Sequence, residues 1–107
     1  MKKIILTLLA VVSMGFAAMA GTLGSRAMFQ GDHKTVNMNP DGSCFFDSRS
    51  TGRINGTYNA NGTVEPGCSN VRVDFNFGGQ SVTGTLMWPT QEGLKLYFDG
   101  SLLNRVL

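Results

Sequence analysis

Histidine is almost missing from this chain: His33 is the only one in 107 residues. A hydrolase built on nucleophile, base and orienting group needs a base, and here the sole imidazole sits in Asp32-His33-Lys34. Adjacent residues on an extended chain point apart, so Asp32 is not placed to orient His33, and G-x-S-x-G is absent. Cysteine is scarce as well, with Cys44 and Cys68 alone. They form no C-x-x-C, and one histidine beside them makes neither a zinc set nor a redox motif. An excess of charge of one sign is missing too, once the first segment is set aside. Lys2 and Lys3 carry the whole surplus, and residues 21–107 hold seven Lys and Arg against seven Asp and Glu. Nothing there supplies the basic face that nucleic-acid binding needs, and Arg72 alternates with Asp74 on the best strand.

What is present begins with a leader. Two lysines precede an apolar run from Ile4 to Val12, broken only by Thr7, and Ala18-Met19-Ala20 has the A-x-A form of a peptidase site. This predicts a signal peptide over residues 1–20, cleavage after Ala20 and bacterial-type export to the periplasm or the medium. The run is shorter than the ~20 residues that span a bilayer. No membrane span is expected after the signal is removed, and residues 21–107 are expected to form one small β domain. A chain so short buries a thin core and gains from a staple. In an oxidising compartment Cys44 and Cys68 are expected to bond to each other, worth roughly 3–4 kcal/mol in the chain-entropy account.

The clearest structural signal lies in residues 71–88. Val71, Val73, Phe75 and Phe77 alternate with Arg72, Asp74 and Asn76, the period of a strand with one dry face. Gly78-Gly79 suits a two-residue hairpin turn, which sets Phe75 against Val82, Val73 against Gly84 and Val71 against Leu86. Asn39-Pro40-Asp41-Gly42 marks a second hairpin, with Val36, Met38, Cys44 and Phe46 inward and Phe45 outward beside Asn37. Asn59-Ala60-Asn61-Gly62 repeats the device, and the expected register there sets Val64 against Tyr58. Asp99-Gly100 turns a fourth hairpin in which Leu96 faces Leu103 and Tyr97 faces Leu102. Ala27 to Gln30 is an extra short strand or a lead-in segment. Mid-strand Gly56 and Gly84 favour strong curvature. The fold class expected is all-β: an antiparallel meander of about eight strands, a closed barrel in preference to a sandwich.

Other chemistry is thin. Residues 37–43 resemble the first half of a calcium loop, with side-chain oxygens at positions 1, 3 and 5 and Gly at 6, but Ser48 stands at position 12 where a bidentate Glu is needed. Asn55-Gly56-Thr57 and Asn61-Gly62-Thr63 match the glycosylation sequon, as a Gly- and Thr-rich β chain does by chance. No cofactor, metal or catalytic residue is assigned, and no motif points to a named family. A barrel of this size fills its interior, so recognition falls to the outer wall and loops. The candidate surface is Phe45, Arg49 and Arg53: an outward aromatic with two guanidinium groups, residue types that dominate protein-binding hot spots. The expected function is a protein-binding or inhibitor-type module. The alternative is a structural or assembly component of the cell envelope, and an enzyme ranks last. The partner expected is another protein or an envelope component.

Overall fold

Alternating apolar residues give each strand one face to bury, and glycine-rich or polar pairs between them force tight reversals. In the computed structural model, which describes residues 21–107, this produces eight antiparallel strands: β1 Ala27–Gly31, β2 Lys34–Met38, β3 Ser43–Ser48, β4 Gly52–Ala60, β5 Val71–Phe77, β6 Gln80–Met87, β7 Lys95–Phe98 and β8 Ser101–Arg105. Each pairs with its neighbour in sequence, and β8 returns to β1 to close the barrel. The seam pairs Phe29 with Arg105 and Gln30 with Asn104. It is extended by the Val106 N–H, which donates to the Met28 carbonyl at 2.7 Å. The predicted leader lies outside the described residues.

The inward residues fill the barrel. Phe29, Val36, Met38, Val73, Phe75, Leu86, Leu96 and Leu103 are all under 2 % exposed, each worth roughly 1.5–3 kcal/mol of transfer free energy. Phe98 packs edge-on to Phe75 at 5.1 Å between centroids and tilts against Phe46 at 5.2 Å. Glycine makes room at Gly56, where an added Cβ would collide with the Asn76 carbonyl oxygen and the Phe77 ring.

Three hairpins have the registers expected. Val71, Val73 and Phe75 pair with Leu86, Gly84 and Val82. Val36 and Met38 pair with Phe46 and Cys44, and Leu96 with Leu103. The hairpin expected around residues 59–62 does not form. β4 instead runs on as one strand of 9 residues, pairing first with β3 and then, through Tyr58 opposite Phe75 and Ala60 opposite Val73, with β5. The choice is set by burial: β5 offers β4 a continuous apolar face, whereas a return strand would offer Val64 alone. The count of eight is kept because Ala27–Gly31 is a full strand. Its turn to β2 is made by Asp32 and His33, both with positive φ, 50 and 59.

The expected disulfide is also overturned: Cys44 and Cys68 are both free thiols. Cys44 lies on β3 opposite Gly56, and the β4–β5 register, continued by one residue, sets Gly56 level with Phe77 at the far end of β5. Cys68 precedes β5 and is held beside Trp88, whose N–H donates to the Cys68 carbonyl at 2.8 Å. Two strand spacings, about 9–10 Å, separate the two cysteines round the wall, and most of the length of β5 separates them along it. A disulfide needs Cα atoms within about 7 Å.

The two ends of the barrel differ. One, the arm end, is covered by residues 21–25 and the long β4–β5 connection. Leu23 is 5 % exposed there. Its N–H donates to the Tyr58 hydroxyl at 2.9 Å, and that hydroxyl donates to the Asn39 carbonyl at 2.6 Å. The other, the turn end, carries the β1–β2, β3–β4, β5–β6 and β7–β8 turns and no further cover from the described residues.

Candidate functional site

The site is built on the β3–β4 hairpin. Phe45 occupies an outward position of β3 between Asn37 on β2 and Asn55 on β4. Arg53 stands two residues before Asn55, on the same outer face, and is therefore the diagonal neighbour of Phe45. Its guanidinium lies over the aromatic ring, with Cζ 4.0 Å from the centroid. Arg53 also faces Asp47 in the register, and Nη2 stands 4.0 Å from Oδ2. Both partners of that ion pair are well exposed, so it adds little to stability. Its effect is to orient the guanidinium, leaving a flat aromatic–cation surface half open to solvent.

Arg49 does not join this pair. The hairpin reverses through residues 48–52, where Ser48 Oγ accepts the Thr51 N–H at 3.2 Å and shares a hydrogen bond with Thr51 Oγ1 at 2.7 Å. Gly52, at φ 68, completes the turn. Arg49 sits exposed at the tip and lines a cavity of about 270 Å³ at the turn end, with His33, Ser48, Thr51 and Phe46. Of the three residues singled out in the sequence, two form one surface on the wall and the third belongs to the barrel's mouth.

A polar cluster beside this cavity was not foreseen. Lys34 Nζ donates to Ser101 Oγ at 2.9 Å and to the Asp99 carbonyl at 3.1 Å, and lies 3.6 Å from the carboxylates of both Asp32 and Asp99. Ser101 Oγ in turn donates to Asp32 at 2.6 Å. The Ser101 hydrogen bond, then the Lys34 charge, hold the Asp32 carboxyl below its ordinary value. A carboxylate so stabilised is a weak base, and Ser101 is 9 % exposed, which is poor geometry for a nucleophile that must meet a substrate. What the cluster does is tie the β1–β2 turn to the β7–β8 turn across the seam. The residues were visible in the sequence; their meeting depended on barrel closure.

The calcium-like segment is used by its own turn. Asp41 Oδ1 accepts the Ser43 N–H at 2.9 Å and the Ser43 hydroxyl at 2.6 Å, while Asn39 Nδ2 donates to Ser43 Oγ at 3.0 Å. Among the described residues no three His, Cys, Asp or Glu side chains gather as a metal set. A smaller cavity at the arm end, about 210 Å³, is lined by Leu23, Ala27, Val64, Trp88, Leu94 and Arg105. Outside the core, Tyr97 and Leu102 form a cross-strand pair, 48 % and 49 % exposed.

Comparisons with family models, with curated proteins and with solved structures returned no match.

Proposed function

We propose that the protein is an exported, non-catalytic binding module that recognises another protein through the β3–β4 hairpin. The observation that carries this reading is the stack of Arg53 on Phe45. Ordinary barrel walls are polar outside, yet here an aromatic ring is presented outward and capped by a guanidinium that Asp47 orients. Such a pair offers a partner apolar area and a charge-assisted donor at little cost in side-chain freedom. The filled interior supports the same reading, because it leaves recognition to the surface. Export rests on the leader alone, since the free thiols remove the argument from a disulfide.

A second reading, an assembly component of the cell envelope, draws on the exposed Tyr97–Leu102 pair, which lies elsewhere on the wall. The experiment is affinity capture from envelope and culture fractions, run in parallel with the native protein and with Phe45→Ala/Arg53→Ala. The binding-module reading predicts a partner held by the native protein and lost by the double variant. A partner kept by that variant and lost by Tyr97→Ser/Leu102→Ser favours the assembly reading. N-terminal sequencing of the captured bait tests export, with Gly21 expected as the first residue.

A further inference from the structure

We infer that the turn end of the barrel is a binding mouth for an apolar side chain that carries, or stands beside, a carboxylate in the partner protein. The inference rests on the binding-module reading and adds a second contact point to it.

The floor of the mouth is aromatic. Phe46 and Phe77 are each 9 % exposed and Phe98 is 2 % exposed, so the three rings lie just beneath the surface. Their centroids are 5.2 to 6.2 Å apart. Two cavities open here and share Phe46 and Asp99: one of about 190 Å³ lined by all three rings, and one of about 270 Å³ in which Phe46 is the only ring of the three. These volumes fall below the roughly 300–1,000 Å³ of sites for cofactors and drug-sized ligands. They match one or two side chains. The arm end also opens, into a cavity of about 210 Å³, but the one cation lining it, Arg105, is already bonded to the Leu107 carbonyl.

The rim supplies the charge. Among the described residues Arg49 is the one lysine or arginine with no hydrogen bond, ion pair or ring contact. Every other cation is engaged: Lys34 with Asp32 and Asp99, Arg53 with Asp47 and the Phe45 ring, Lys95 with Glu92, Arg72 with Asp74, Arg26 with Asn37, and Arg105 with the Leu107 carbonyl. The carboxylates at this end, Asp32 and Asp99, both face Lys34, so the rim holds two carboxylates against the two cations Lys34 and Arg49. Arg49 is the member of that set with no direct partner, and it shares its cavity with Phe46, His33 and the hydroxyls of Ser48 and Thr51. A planar guanidinium fits a carboxylate in bidentate fashion, and the aromatic floor fits the apolar body joined to it.

The test uses 3-phenylpropionate as the probe, with 3-phenylpropanamide as its uncharged counterpart, in an NMR titration of the 15N-labelled protein. The expected result is saturable shifts at the amides of Phe46, residues 48–51 and residues 98–101, with the amide probe about fivefold to tenfold weaker. Arg49→Gln should bring the carboxylate down to the level of the amide. Arg49 is exposed at a turn tip, and unchanged dispersion of the remaining amides shows that the variant is folded. Shifts that do not saturate, shifts confined to the arm end, equal binding of both probes, or full binding by Arg49→Gln would each overturn the inference. The double variant at Phe45 and Arg53 does not touch the mouth, so the wall surface and the mouth can fail separately.

Discussion

Arg53 lays its guanidinium over Phe45 at 4.0 Å, across two strands and on the outside of a barrel whose inside is already full. An exposed cation–π contact of this kind is worth only about 0.5–1 kcal/mol. Replacing Phe45 and Arg53 by alanine is therefore expected to change the unfolding free energy by less than about 1.5 kcal/mol. Chemical denaturation of the single and double variants measures this, and a coupling energy near zero would show that the stack is not formed in solution.

Gly56 should behave in the opposite way. A Cβ there meets the Asn76 carbonyl and the Phe77 ring, and backbone on β5 cannot yield without disturbing the β4–β5 pairing. Gly56→Ala is expected to destabilise by about 2–3 kcal/mol or more. The same denaturation assay reads it. A loss below about 0.5 kcal/mol would mean that β4 does not cross to β5 as described.

The thiols give a chemical check. Burial pushes the Cys44 thiol up to about 11, so at pH 8 it is both enclosed and protonated. Cys68 is partly exposed. Native alkylation followed by intact-mass analysis is expected to show one label added promptly, on Cys68, and two after denaturation without reductant. A mass lower by two hydrogens and no labelling would contradict the free-thiol assignment.

How much of this was legible in the chain follows from range. The 71–88 hairpin was readable because period-2 alternation and Gly78-Gly79 act locally, and Phe45 outward followed from the Asn39–Gly42 turn in the same way. The partner of β4 was not, because Tyr58 had two possible neighbours and only the assembled barrel makes Phe75 the better one. The β1–β2 turn was missed because Asp32 and His33 take left-handed angles that are usually signalled by glycine. The Phe45–Arg53 contact needed the β3–β4 register, and the solitary state of Arg49 needed every other cation to be accounted for in space.

Acid should loosen the seam. Asp32 is held below its ordinary value of 3.8 chiefly by the Ser101 hydroxyl and then by Lys34, with His33 contributing less; Asp99 is the other carboxylate facing Lys34. A depressed carboxyl contributes stability that is present above its unfolded value and is lost as pH falls through the folded one. Thermal unfolding followed downward from about pH 5 should therefore show the loss beginning as pH enters the ordinary carboxylate range and completing only below it. In Ser101→Ala the Asp32 titration, read by carboxyl NMR, should move up toward 3.8. An Asp32 titration that stays where it was in Ser101→Ala would mean that the Ser101 hydroxyl does not bond it.

The account's central claim is that the outer face of the β3–β4 hairpin is a recognition surface. Titration calorimetry of the captured partner against the native protein and Phe45→Ala, whose fold is checked by its denaturation midpoint, measures it most directly. A hot-spot aromatic predicts a loss of about 2 kcal/mol, roughly thirtyfold in Kd. An affinity within about twofold of the native value, with the variant equally stable, would contradict the claim.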